Sequence, residues 1–254
     1  MKTIAIVTGA SSGMGTVFVK ELLKEKNADE IWLIARRKER LQALIETYGQ
    51  KLRAFALDLT EMSSFEQLSA TLETEKPNIV YLVNAAGAGR MGNVETIDYD
   101  AHGFVLDINV KALTCMSRIC IPYMKKGGHI IQLCSGSAFL PQPGFSSYAA
   151  SKSYVLSFSR ALRQELKDRN ISVTAVCPGP VNTEFFQAAG TEVHPSKKRF
   201  MVDADDVVKK AMKDANAGKE LSVYGMSMKF LHLAGKVLPV KLVLAVANRF
   251  LSKK

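Results

Sequence analysis

The chain has 254 residues, is 47% hydrophobic and 23% charged, and carries a formal net charge of +10. That length and apolar content are ample for a large core, and no low-complexity stretch, internal repeat or Pro/Ser-rich linker marks a boundary, so one domain over 1–254 is expected. The basic residues are dispersed, with no recognition motif or aromatic platform beside them, which argues against nucleic acid as a partner.

Met1-Lys2 runs straight into an apolar segment without the longer hydrophobic stretch and small-residue cleavage site of a signal peptide, so a cytoplasmic location is expected. Apolar runs that read as strands lie near 3–8, 30–35, 52–56, 79–83, 128–133, 171–176 and 220–223, with helix-length patterned segments between them. Strands alternating with helices predict an α/β fold: a Rossmann-like parallel sheet of about seven strands, covered on both faces. Right-handed crossovers make it doubly wound, with ligands held off the carboxyl ends of the strands near the switch in strand order.

The first run, Ile4 to Val7, leads into Thr8, Gly9, Ala10, Ser11, Ser12, Gly13, Met14 and Gly15, and then into Val17, Phe18 and Val19. This order reads as strand, tight turn and helix start, with glycines letting a pyrophosphate approach amide N–H groups at a positive helix terminus. The spacing is G-x-x-x-G-x-G, which differs from the G-x-G-x-x-G dinucleotide fingerprint. After the second run stand Ala35, Arg36, Arg37 and Lys38; after the third, Asp58-Leu59; after the fourth, Asn84-Ala85-Ala86-Gly87. Asn109 follows in Asp107-Ile108-Asn109-Val110, Ser135 comes after the fifth run, and Pro178-Gly179-Pro180-Val181-Asn182-Thr183 after the sixth. Tyr148 and Lys152 open a helix-patterned segment four residues apart, so the phenol and the ammonium can meet over a common substrate.

In order and interval, these signals resemble the short-chain dehydrogenase/reductase family, in its standard-length single-domain branch, from Lys2 to about Val223. The resemblance implies hydride transfer between a nicotinamide cofactor and a carbonyl or alcohol, with Asn109, Ser135, Tyr148 and Lys152 as a catalytic tetrad. It implies that Asp58 holds the adenine amino group with help from the Leu59 backbone, that Asn84 braces the central sheet, and that Ala85, Ala86 and Gly87 leave room for the cofactor. Lys152 would also hold the nicotinamide ribose, Ser135 (or its neighbour Ser137) the substrate oxygen, and Asn109 a water linking the lysine to solvent. Val181 and Thr183, in the Pro178-Gly179 loop, would meet the carboxamide. Relatives assemble through helices corresponding to 112–124 and 147–167, so a homodimer or homotetramer is expected.

A hydride arriving at a carbonyl carbon leaves negative charge on oxygen that must be stabilised and protonated. Tyr148 is the expected acid; a free phenol titrates at about 10, and the Lys152 cation favours its ionised form. An acidic residue after the second strand would bind the ribose hydroxyls of NAD, whereas Arg36 and Arg37 offer guanidinium forks to a 2′-phosphate, with Ser11 as helper, so NADP(H) is expected. The competing reading is a solvated basic start to the next helix. Cys115, Cys120, Cys134 and Cys177 lie in apolar runs, and His102, His129, His194 and His232 are scattered, so no metal site is expected.

The segments after Ser135 and after Pro178 carry Phe139, Phe145, Phe185 and Phe186, walls suited to an apolar or aromatic substrate, with the region near 180–200 as a lid. Aromatics that merely pack the lid onto the body are the alternative. From 225 to 254 a basic, apolar tail departs from the short ending common in the family; a helix over the substrate cleft or an oligomer contact is expected ahead of peripheral membrane binding. Two further readings are a non-catalytic NADP-binding regulator, which can lose the tyrosine or lysine, and an extended-branch epimerase, which adds a C-terminal substrate domain.

Overall fold

The computed structural model describes residues 1–190, 201–239 and 241. Part of the expected lid, including Lys197, Lys198 and Arg199, and the end of the tail from 242 onward lie outside the described residues.

The elements run β1 (Thr3–Thr8), α1 (Gly13–Glu25), β2 (Glu30–Ala35), α2 (Lys38–Tyr48), β3 (Leu52–Ala56), α3 (Met62–Glu75), β4 (Asn78–Asn84), α4 (Tyr99–Leu106) and α5 (Ala112–Cys120). They continue with β5 (Met124–Leu133), α6 (Ser146–Glu165), β6 (Ser172–Val176), α7 (Phe185–Ala188), α8 (Ala204–Asn216), β7 (Leu221–Ser222) and α9 (Met226–Val237). One π-helical turn, Asp107–Lys111, joins α4 to α5. The sheet order is β3-β2-β1-β4-β5-β6-β7 and every pair is parallel, so the strand order reverses between β1 and β4. This is the expected Rossmann-like sheet, and the reversal opens a crevice at the carboxyl ends of β1 and β4.

Alternation along the strands builds both faces. Ala5, Val7, Leu33, Val83 and Ile131 point to one side, where they meet Phe18 and Leu22 of α1, Leu41 of α2 and Val208 and Ala211 of α8. Ile4, Ile6, Trp32, Ile34, Leu82 and Ile130 point to the other, against Leu68 and Leu72 of α3, Met116 of α5 and Leu162 of α6. Each fully buried leucine or isoleucine stabilises by roughly 1.5–3 kcal/mol, so a one-residue slip of any central strand would invert both layers at once.

The expected strand near 128 begins earlier, at Met124. Ile79 pairs with Met124 but Tyr81 with His129, so Lys125 to Gly128 form a bulge whose Gly127 takes φ 83°. A polar, glycine-bearing bulge hides a strand start from hydrophobic patterning. None of the described helices is long and apolar enough to cross a membrane.

Candidate active site

Around the crevice the backbone leaves no room for a side chain at Gly9 or Gly15. Gly9 takes φ 67°, and a Cβ there would lie 2.8 Å from the backbone of Ala86; one on Gly15 would collide with the Gly9 carbonyl. Gly13 opens α1 with φ 53°, and a Cβ on it would sit 3.4 Å from the Thr183 side chain. Ser12, the residue before α1, is extended and does not cap the helix with its hydroxyl, so the first-turn N–H groups retain their donor capacity. The Thr8 hydroxyl accepts the Ala86 N–H at 3.1 Å, tying the end of β1 to the 84–87 segment. Val181 is buried and bridges to Val202, and the Thr183 side chain sets the Pro178–Thr183 loop against Gly13 of the glycine turn.

At the end of β4, Asn84 donates to Gln132 at 2.9 Å and Ser117 at 3.4 Å, a buried polar brace between β4, β5 and α5. Gln132 and Ser117 had no sequence motif to betray them; only the register of β4 on β5, which sets Asn84 opposite Gln132, brings the group together. Asn109 lies in the π-helical turn, 1% exposed. Its Oδ1 accepts the Ala88 N–H at 2.9 Å, and its Nδ2 donates to the Ala88 carbonyl at 2.8 Å and to the Ser151 hydroxyl at 2.9 Å. The carboxamide therefore fastens the loop after β4 to α6.

Helix α6 forms because Tyr148, Ser151, Lys152, Val155, Leu156, Ser159 and Leu162 recur at three- and four-residue intervals on its buried face. The spacing puts the Lys152 ammonium 5.6 Å from the centre of the Tyr148 ring. Lys152 is 3% exposed and donates to the Leu133 carbonyl at 2.8 Å; burial lowers it to about 8. Burial raises the Tyr148 phenol, while the Ser135 side chain beside it pulls the other way. Of the two rival serines, Ser135 is the one at the phenol: the Ser137 hydroxyl donates instead to Gln142 at 3.3 Å. A Cβ on Gly87 would sit 3.2 Å from Asn109 Oδ1 and 3.5 Å from Lys152 Nζ, so the 84–88 loop, Asn109 and the lysine close on one another.

The aromatic residues divide. Phe145 stacks on Tyr148 with ring centres 4.3 Å apart, and Phe185 lies 5.3 Å from the same ring with Phe186 edge-on behind it at 5.6 Å. Phe139 packs instead on His232 of α9, with ring centres 4.6 Å apart. Beneath Phe145 and Phe185 lies Gly89, which no motif singled out; a Cβ there would come within 2.8 Å of one ring and 2.9 Å of the other. Met228 of α9 approaches Gly136 and Gly179, so the described part of the tail covers the loops beside the site.

At the far end of the crevice Asp58 accepts the Thr60 N–H at 3.0 Å and hydroxyl at 2.8 Å, and stands 3.7 Å from Arg36. Burial opposes its ionisation, but these donors and the guanidinium hold it below the usual carboxylate range. The Leu59 side chain is buried in the core, leaving only its backbone for the crevice. Arg37 donates to the Ser11 hydroxyl at 3.3 Å and so reaches across to the glycine turn.

A family profile described as short chain dehydrogenase matches residues 3–194. The chain belongs to the short-chain dehydrogenase/reductase family and is an oxidoreductase of that family. It is similar to the NADP-dependent 3-hydroxy acid dehydrogenase YdfG of Escherichia coli (strain K12), 34% identical over 186 residues that cover 72% of this chain and 74% of the relative. An uncharacterized oxidoreductase of Staphylococcus epidermidis is 28% identical over 207 residues, covering 81% of this chain and 88% of that protein. Among solved structures, a short-chain dehydrogenase from Sphingobium yanoikuyae in complex with NADPH superposes with a TM-score of 0.79 at 26% identity, over 97% of this chain and 96% of that one.

Proposed function

We propose that this protein transfers a hydride between NADP(H) and the carbonyl or alcohol carbon of a small apolar substrate. The carrying observation is the convergence of Ser135, the Tyr148 phenol and the Lys152 ammonium at the carboxyl end of β5, each buried or half-buried, beside a glycine turn in which Gly9 and Gly15 leave no space for a side chain.

The residues fit a dinucleotide. Gly9, Gly13 and Gly15 make a cradle that any Cβ would fill or strain, with Ser11, Ser12 and Met14 completing the turn at the uncapped start of α1, where amide groups receive a diphosphate. Arg36 and Arg37 with Ser11 suit a 2′-phosphate, Asp58 and the Leu59 backbone an adenine edge, and Asn84, Ala85, Ala86 and Gly87 the wall along the adenosine. Pro178, Gly179, Val181 and Thr183 form the opposite wall at the nicotinamide end, with Thr183 over Gly13. When bound, the nicotinamide gives or takes the hydride. The likeness to an NADP-dependent dehydrogenase and to a structure holding NADPH supports the same cofactor here.

Tyr148 then gives its proton to the oxygen that gains charge, and Ser135 holds that oxygen by a hydrogen bond. Lys152 stabilises the resulting phenolate and holds the ribose near it. Asn109 acts as a positioning residue: its carboxamide is spent on Ala88 and Ser151, which keeps the 84–88 loop at the right height above the lysine. Phe145 and Phe185 flank the phenol and would present apolar surface to the substrate, with Phe186 behind them. Self-association through α5 and α6 is supported by Tyr154, 39% exposed and stacked on Phe158 at that face; a monomer mass by light scattering would remove this part of the reading.

Cofactor choice is tested by the catalytic efficiencies with NADPH and NADH over a panel of apolar aldehydes and ketones. A ratio of about 10 or more in favour of NADPH is expected from two guanidinium contacts of roughly 1 kcal/mol each. A preference for NADH would defeat the cofactor assignment.

A further inference from the structure

We infer that Glu184 is an internal competitor for the cofactor's 2′-phosphate, and that Arg40 is a third cation of the same site. The inference rests on the NADP(H) reading above.

Arg37, the extended residue before α2, and Arg40, in the first turn of α2, reach the same carboxylate, that of Glu184. Arg40 Nη1 donates to both carboxylate oxygens of Glu184, at 3.0 and 2.9 Å. Arg37 Nη1 stands 3.6 Å from Glu184 Oε2, while its Nη2 donates to Ser11 at 3.3 Å. Glu184 comes from the loop after β6, 144 positions from Arg40, so the contact depends on the fold and not on helix spacing. One carboxylate thus occupies the guanidinium donors that phosphate oxygens would use, and it follows Thr183, whose side chain lies beside Gly13. The hydrogen bond from Arg40 and the charges of Arg40 and Arg37 hold Glu184 below the usual carboxylate range, so it is an anion at neutral pH.

A carboxylate and a phosphate monoester are recognised by the same fork of N–H donors, and two anions at one fork repel. Arrival of the phosphate therefore has to move Glu184 aside. The side chains are 44% exposed at Arg40 and 54% at Glu184, a setting in which ion pairs are weak and exchangeable, so Glu184 tunes affinity without locking the site. NAD(H) has no 2′-phosphate to compete, and Glu184 leaves its binding untouched.

The test is isothermal titration of the full chain with 2′,5′-ADP, NADP⁺ and NAD⁺, in the wild type, Glu184→Gln and Arg40→Gln. Glu184→Gln should tighten 2′,5′-ADP and NADP⁺ by about 3- to 10-fold and leave NAD⁺ within about 2-fold, while Arg40→Gln should weaken the two 2′-phosphorylated ligands selectively by a similar factor. Parallel shifts for all three ligands, or no change with 2′,5′-ADP, would overturn the inference. Should the wild type bind NAD⁺ more tightly than NADP⁺, the cofactor reading itself fails; a wild type that prefers NADP⁺ with an unaltered Glu184→Gln removes only the competitor role.

Discussion

Lys152 shows what the site costs this protein when it stands alone. Burial lowers its ammonium from the usual 10.5 to about 8, with the Leu133 carbonyl as its one hydrogen-bond acceptor among the described residues. Between those two values the unfolded chain holds a proton that the folded chain has released, so stability rises with pH across that window, and below it the full penalty applies. Lys152→Met should therefore raise the unfolding free energy of the cofactor-free protein by about 1–3 kcal/mol at about pH 7, with the gain shrinking by about pH 10. Urea titrations at the two pH values check this; a variant less stable than wild type at the lower pH would mean that the amine is not penalised. Lys152 and Tyr148 were legible in the sequence because four-residue spacing on a helix fixes a common face. The Arg40–Glu184 pair was not, because its partners meet only when the loop after β6 folds back over α2.

Elements divide in the same way. Continuous apolar runs carried the strands and the two-sided sheet, since every central strand must present apolar residues to both layers. The bulge in β5 and the π-helical turn around Asn109 were hidden, because both are local departures from a period. Phe145, before α6, and Phe185, opening α7, approach each other over Gly89 from segments with no shared pattern, and their packing leaves no volume for a methyl group. Gly89→Ala should force both rings off Tyr148, destabilising the fold by about 1–2 kcal/mol and changing KM for the apolar substrate several-fold, with NADPH affinity retained. Thermal melts, steady-state kinetics and NADPH titration separate these effects. An unaltered KM would show that the aromatic cover plays no part in substrate binding, and that Phe185 merely packs its loop onto the body.

The molecule as a unit is a seven-stranded sheet whose order reverses between β1 and β4, with the glycine turn, the Asn84 brace and the Pro178–Thr183 loop all at that end. Met228 and His232 of α9 pack on the loops beside the site, while Met226, Phe230, Leu233 and Val237 remain exposed among the described residues. The proposed mechanism turns on proton delivery from the Tyr148 phenol. The most direct measurement is NADPH oxidation with an apolar carbonyl by the wild type and by Tyr148→Phe, paired with NADPH titration of both proteins. The wild type should turn over, and the variant should lose about 100- to 10,000-fold in kcat while binding NADPH within about 2-fold of wild type. A phenylalanine variant that keeps its turnover would show that the proton comes from elsewhere.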